Sequence, residues 1–189
     1  MEKRDKIKYG LSNVHYAVIT NETSMEYDTP KKIPGAVNLS LSAEGQSSNF
    51  YADNMAYHTT SSNNGFSGDL EIALIPDEFY TDVYGYEKDE ETGLFIEIAD
   101  KNPKSIALLF QFENDANSRR VVFYKVIPGR AAVNHQTKGE SVEPQTDTIP
   151  ITAVPVEIGG KKTARAVVPK DGKKYAEFFT AVVKPTLAG

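Results

Sequence analysis

The chain has 189 residues, 40% of them hydrophobic and 25% charged, so it can bury a core of its own and is not disordered throughout. It contains no cysteine, which excludes disulfides, thiol nucleophiles and thiolate metal sites. The net charge of −5 argues against a surface that grips duplex DNA, because such affinity comes largely from cations that neutralise phosphates. The charged first residues and the lack of a long apolar run predict neither a secretory signal nor a membrane span.

Strand patterns account for most of the chain. A β-branched and aromatic run predicts a first strand over 14–20. From Val37 to Glu44 apolar and polar residues alternate, which is typical of a half-buried antiparallel strand, and the pattern returns over 70–74. The dipeptide Gly159-Gly160 predicts a tight hairpin turn. Further strands are predicted over 46–58, 94–98, 106–112, 119–127, 146–158 and 162–168.

Two short helices are predicted between the strands. Residues 77–84 follow Pro76, begin with two acids and stop at Gly85, which is the pattern of a capped helix. Phe79 and Val83 are four residues apart and are expected to face the sheet. Near the C-terminus, apolar residues recur at helical spacing before a proline, which predicts a second helix that packs on the core. These residues are Tyr175, Phe178, Phe179 and Val182.

Two polar stretches have neither the alternation of a strand nor the apolar spacing of a helix. Residues 59–64 are predicted to form a polar tip between two strands. Residues 128–145 are predicted to form a long loop, and loops of this length in compact domains are usually functional or disordered. No break in composition and no internal repeat divides the chain. We therefore predict one mostly antiparallel β domain over residues 1–189.

The residue patterns of catalysis are not found. The histidines His15, His58 and His135 lie far apart and form no metal-binding motif. No serine lies in a nucleophile elbow, and the strand-like residues after Gly159-Gly160 argue against a phosphate-binding loop. The acid pairs lie at a helix N-terminus and in a polar loop, where little burial is expected to shift their pKa values. We predict that the protein is not an enzyme and needs no metal or cofactor.

Five segments carry a more specific signal. They are PGAVNLSLSAEG (34–45), FYADN (50–54), NGFSGDLEIALIP (64–76), KGESVEPQTDTI (138–149) and YAEFF (175–179). In this order and spacing the chain resembles the major tail proteins of siphophages and prophages of Gram-positive bacteria, the group often called the phi13 family. The likeness extends from about residue 8 to residue 183.

The resemblance implies a structural virion protein with the antiparallel β-sandwich or barrel fold of phage tail tubes, with one flanking α-helix and a short second helix. Subunits made in the bacterial cytoplasm would form hexameric rings that stack around a tape measure protein. The tube would contact tail terminator and distal tail proteins, and DNA would pass through its lumen without specific binding. Some relatives carry a C-terminal immunoglobulin-like domain, which we do not expect in this chain.

Four acids are candidates for the lumen surface, because they lie on or beside strands whose opposite face is apolar. An anionic or polar wall repels DNA weakly and lets it slide, whereas a cationic wall would hold it. The alternative is that these acids face solvent or a neighbouring subunit. They are Glu44, Asp53, Asp69 and Glu71.

The two polar stretches are candidates for assembly loops, since polar segments that cannot fold alone can become ordered against a partner. The candidate residues are Thr59, Thr60, Ser61, Ser62, Asn63 and Asn64 in the first stretch, and Gly129, Arg130, Asn134, His135, Lys138 and Glu140 in the second.

Three other functions stay open on the sequence. One is a tube subunit like that of type VI secretion, which has a similar fold. Another is a virion decoration protein or a carbohydrate-binding β-domain, which would need a concave site with clustered exposed aromatic residues. The third is an enzyme whose site is assembled only in three dimensions.

Overall fold

The computed structural model describes residues 10–113, 118–133, 137 and 144–186. Strands dominate this part of the chain, and all of its strand pairs are antiparallel, which confirms the predicted fold class. No helix among the described residues is long and apolar enough to cross a bilayer. The strands are β1 (Leu11–Asn21), β2 (Glu26–Tyr27), β3 (Lys31–Lys32), β4 (Ala36–Glu44), β5 (Ser47–Ala52), β6 (Met55–Ser61), β7 (Gly65–Ile72), β8 (Glu87–Lys88), β9 (Phe95–Ile96), β10 (Ile106–Phe112), β11 (Arg120–Pro128), β12 (Asp147–Ala153), β13 (Val156–Ile158), β14 (Lys161–Thr163) and β15 (Arg165–Val168).

Nine of these strands form the main sheet. Its order is β2-β1-β10-β11-β12-β7-β4, with β3 paired to β1 and β15 paired to β11. The strand β11 has two partners in succession, because Arg120–Phe123 pair with β15 and Val126–Pro128 pair with β12. Three hairpins lie outside this sheet, namely β5–β6, β8–β9 and β13–β14. The last of them turns at Gly159-Gly160, as predicted, and both glycines have positive φ.

The sheet buries apolar side chains on both faces. On one face the alternate residues Ile106, Leu108 and Phe110 of β10 join the larger core cluster, as the sequence predicted. The residues between them, Ala107 and Leu109, are buried in a second cluster on the opposite face. The central strand β10 is therefore covered on both sides, which explains why its sequence is a continuous apolar run.

The predicted helix over 77–84 is confirmed as one short helical segment. It begins as an α-helical turn, α1 (Asp77–Phe79), and continues as a π-helical turn over Tyr80–Tyr84. Gly85 ends it with φ of 70°, a left-handed conformation that glycine adopts without steric cost. Phe79 and Val83 are buried against the larger core cluster, as expected from their spacing.

The predicted C-terminal helix is wrong. Residues 170–181 form successive turns, in which the amides of Tyr175 and Phe178 bond to carbonyls three residues back. The Tyr175 carbonyl accepts the amide of Phe178 and a hydrogen bond from Arg120, whereas an α-helix would bond it to the amide of residue 179. The aromatic spacing still serves core packing, because Phe178 is buried in the second cluster and Phe179 packs against it.

Candidate functional site

Among the described residues, one half of the sheet's outer face is uncovered and polar; the outer face is the one opposite the larger core cluster. The strands β1, β10 and β11 are covered on this face by the second apolar cluster, to which residues of β13, β15 and the C-terminal turns contribute. The strands β12, β7 and β4 have polar side chains there instead, since their apolar residues alternate onto the larger core cluster. By strand register, this polar face consists of Asn38, Ser40, Ser42, Glu44, Ser67, Asp69, Glu71, Thr148, Pro150 and Thr152.

The charged side chains of this polar face are three acids. Asp69 is exposed in the middle strand, opposite Ser40 and Pro150. Glu71 accepts a 2.6 Å hydrogen bond from the Thr146 hydroxyl, and Glu44 accepts one from Ser67. The three strands contain no lysine and no arginine. The face is therefore anionic and weakly repulsive to a polyanion such as DNA.

Three of the four predicted lumen acids thus lie together on the polar face, and the fourth does not. Asp53 lies in the turn of the β5–β6 hairpin, which is a separate two-stranded sheet. Asp53 and Asn54 have φ of 52° and 63°, a left-handed pair that is typical of a tight hairpin turn. That these acids line a lumen stays a prediction.

The predicted tip over 59–64 is wrong in its position. The hairpin turns at Asp53-Asn54, so Thr59, Thr60 and Ser61 lie in strand β6, while Ser62, Asn63 and Asn64 connect its base to β7. The base is closed by hydrogen bonds between Ser62 and Gln46, with the Ser62 amide 2.9 Å from the Gln46 carbonyl. The assembly role of these residues stays a prediction.

The hairpin β5–β6 projects large apolar side chains into solvent. Residues 46–58 were predicted as one strand, but they form two strands of a hairpin, and every residue of β6 and all of β5 except Ala52 are exposed. The sequence signal for this hairpin is the dipeptide Asp53-Asn54, because Asp and Asn tolerate the left-handed conformation that a tight turn requires. The exposed fractions run from 64% to 73% for Phe50, Tyr51, Met55 and Tyr57.

Hydrogen bonds to Tyr84 and Pro150 fix the start of the second predicted assembly loop, directly after β11. The Gly129 amide donates to the Pro150 carbonyl at 2.7 Å, and the Gly129 carbonyl accepts a 2.8 Å bond from the Tyr84 hydroxyl. Burial raises the pKa of that tyrosine. Arg130 forms an ion pair with Glu97. Asn134, His135, Lys138 and Glu140 lie outside the described residues.

One structural contact joins three titratable side chains with shifted pKa values, Tyr16, Lys31 and Asp82. Tyr16 donates a 2.8 Å hydrogen bond to Asp82, which also binds Lys31 at 2.6 Å. Burial, followed by this hydrogen bond, raises the pKa of Tyr16. Burial opposes a low pKa for Asp82, but the bonds from Lys31 and Tyr16 outweigh it and the pKa is lowered. No group of three or more potential metal ligands lies together among the described residues.

An aromatic clamp that no sequence pattern predicts fixes the C-terminal turns to the sheet. The guanidinium carbon of Arg120 lies 3.8 Å from the ring centre of Tyr175 and 4.6 Å from that of Phe179. The His15 ring stacks on the Phe179 ring with 4.6 Å between the ring centres. The Tyr175 hydroxyl donates a 2.8 Å hydrogen bond to the Ser118 carbonyl. The clamp covers part of the outer face, and no described residue of the C-terminal turns is in the polar face.

Comparison with known protein families gives one match, which covers almost the whole chain. A family model described as "Phage tail tube protein" matches residues 2–187. A search of curated protein sequences finds no significant match.

Proposed function

Since this chain belongs to the phage tail tube protein family and is thereby a structural component of a virion, we propose that it is the major tail protein. Its copies form hexameric rings, and the rings stack into the tube through which DNA is ejected. Within the family we assign it to the phi13 group of siphophage and prophage proteins. We further propose that residues 1–189 act as a single tube domain, without enzymatic activity.

The edge of the sheet supports assembly into a ring. Within the described residues, β4 pairs with β7 and with no other strand, although β1 approaches it. The backbone groups that point away from β7, those of about every second residue in β4, are therefore not used in this sheet. Exposed strand edges promote uncontrolled pairing, and a head-to-tail contact that closes into a ring removes them. Six copies that each contribute β12, β7 and β4 form a barrel of about 18 strands, a size at which barrels leave an aqueous channel.

The polar face is the single observation that carries the lumen assignment. It lies on the same three strands that reach the free edge, and Glu44, Asp69 and Glu71 are its charged side chains. A lumen of this chemistry offers DNA no cations for counterion release, so the duplex slides without being held. The tape measure protein occupies the same space before ejection, and the terminator and distal tail proteins cap the two ends of the tube.

The exposed aromatic residues do not favour a carbohydrate-binding function. Phe50, Tyr51 and Tyr57 lie on a projecting hairpin, whereas a small-ligand site is concave and encloses most of its ligand. A tube subunit of the type VI secretion kind stays the nearest alternative, because its assembly would use the same sheet edge.

Electron microscopy of the purified wild-type protein over a range of concentrations tests tube formation. We expect stacked rings with an open lumen. Protein that stays monomeric at every concentration, together with normal tails on particles that lack its gene, would refute the function.

The substitution Asp69→Lys tests the lumen assignment. We expect tubes that still form but bind duplex DNA at low salt and release it at high salt, because each ring then presents cations to the phosphates. The matched control is Asp100→Lys, which makes the same charge change at an exposed residue between β9 and β10. Equal DNA binding by both variants, or by neither, would contradict the assignment.

A further inference from the structure

An apolar groove opens at one side of the main sheet. It has a volume of about 550 Å³ and lies between β4 on one side and β10, β11 and β15 on the other, with Gly10 and Leu11 at the start of β1 also lining it. Its walls are the rings of Phe66, Phe110, Phe112 and Phe123 together with Leu39 and Leu41. Val37 and Val167 are half exposed at its mouth. A cleft of this size holds a drug-sized group, which corresponds to two or three large side chains.

The rim of the groove is basic. Arg119 and Arg165 line it, and the Arg165 guanidinium carbon lies 5.2 Å from the centre of the Phe66 ring. An occupant that combines large apolar side chains with a negative charge therefore matches both the walls and the rim.

The tip of the β5–β6 hairpin has this combination. Phe50, Tyr51 and Met55 are exposed beside the turn. Asp53 in the turn supplies the negative charge, and residues 47–61 contain no lysine or arginine that would neutralise it. An apolar two-stranded hairpin is marginally stable alone in water, and exposed apolar patches of this kind mark contact sites. We propose that the hairpin tip of one copy of this chain docks into the apolar groove of a neighbouring copy, with Asp53 against the arginine rim.

The hairpin's own geometry directs it to another copy. Hydrogen bonds from Asn64 to Glu44 and from Ser62 to Gln46 continue the β4–β7 ladder into the hairpin, which holds the hairpin in line with its own sheet. Six residues from Ser47 to the turn extend the tip about 20 Å beyond that base at the rise of a β-strand. The resulting contact joins two different surfaces, so it is a head-to-tail contact that continues from copy to copy.

Charge disfavours the chain's own first nine residues as the occupant. They carry four basic side chains, Lys3, Arg4, Lys6 and Lys8, against two acids. Such a segment would meet the two rim arginines with like charge, whereas the hairpin tip meets them with opposite charge.

The lack of cysteine makes this contact directly testable by cross-linking. Two single-cysteine variants, Ala52→Cys at the hairpin tip and Val167→Cys at the groove, are mixed under conditions of assembly and oxidised mildly. We expect a disulfide-linked dimer of the two variants. The matched control replaces the second partner by Val133→Cys, an exposed valine outside the groove, and should give none. When added to the Ala52→Cys and Val167→Cys pair, Asp53→Lys or Arg165→Glu should each abolish the cross-link, and the two together should restore it.

The inference rests on the proposed tube function, and the experiment separates the two. Tubes seen by electron microscopy without a tip-to-groove cross-link overturn the docking contact and leave the tube function standing. A cross-link within one chain between Asp5→Cys and Val167→Cys, in place of the intermolecular one, also overturns it. The absence of both tubes and cross-link counts against both. Cross-linking that the charge reversals abolish and the double reversal restores supports the contact.

Discussion

The burial of Phe178 predicts a large loss of stability on truncation. Its side chain has an exposed fraction of 0% and lies in the second apolar cluster with Leu109, Val122 and Tyr124. Phe178→Ala removes a buried ring and leaves a cavity, which costs about 3–5 kcal/mol of the free energy of unfolding. For a chain of this size that corresponds to a melting temperature lowered by about 6–20 °C.

The assay is urea denaturation followed by far-UV circular dichroism, since the chain has no tryptophan to report by fluorescence. The matched control is Phe50→Ala, the same substitution at an exposed residue of the hairpin, for which we expect a change within about 0.5 kcal/mol. Equal midpoints for the two variants would refute the packing of the C-terminal turns on the sheet. Limited proteolysis should cut after residue 170 faster in Phe178→Ala than in wild type.

Two further predictions concern pH and backbone geometry. Burial lowers the pKa of His15, opposed by its bond to the Asn13 carbonyl and aided by the charges of Lys32 and Arg120, so the unfolded chain binds this proton more readily than the folded one. The stability that His15 contributes is therefore full above pH 6.5 and is lost as the pH falls below it. The variant His15→Phe keeps a ring on Phe179, and its urea midpoint should depend less on pH between 7.5 and 5.5 than that of the wild type. The same pH dependence in both proteins would contradict this. Gly68 lies in β7 with φ of 157°, and a β-carbon there would lie 1.9 Å from the Ser40 carbonyl oxygen of β4. Gly68→Ala should therefore detach β4 and accelerate amide hydrogen exchange over Ala36–Glu44. Unchanged protection of that strand would contradict the pairing.

The parts of the fold that could be predicted are those that local periodicity determines. The strand from Val37 to Glu44 alternates because one face meets the core and the other does not, and the structure has β4 over Ala36–Glu44. The helical segment before Gly85 was predictable for the same reason, since its caps and its apolar spacing lie within ten residues.

The parts that could not be predicted depend on contacts between distant residues. The C-terminal turns pack against a residue 55 positions earlier, since Arg120 donates a hydrogen bond to the Tyr175 carbonyl, and no local pattern indicates that contact. The hairpin tip was misplaced because the polar run 59–64 is a stronger loop pattern than the dipeptide Asp53-Asn54, which forms the turn through its left-handed φ values. The apolar groove and its basic rim arise only when β4 and β15 are brought to opposite sides of one opening.

The pairing of β1 with β10 has a consequence for synthesis on the ribosome. Leu11–Asn21 emerges early, but its partner Ile106–Phe112 follows roughly 90 residues later. At bacterial elongation rates of about 5–20 residues per second, the nascent N-terminal strand waits about 5–20 seconds before its ladder can form. During that interval Val14, Tyr16 and Val18 lack the β10, β11 and β12 members of their core cluster, so we expect chaperones that hold apolar nascent segments to engage this chain cotranslationally.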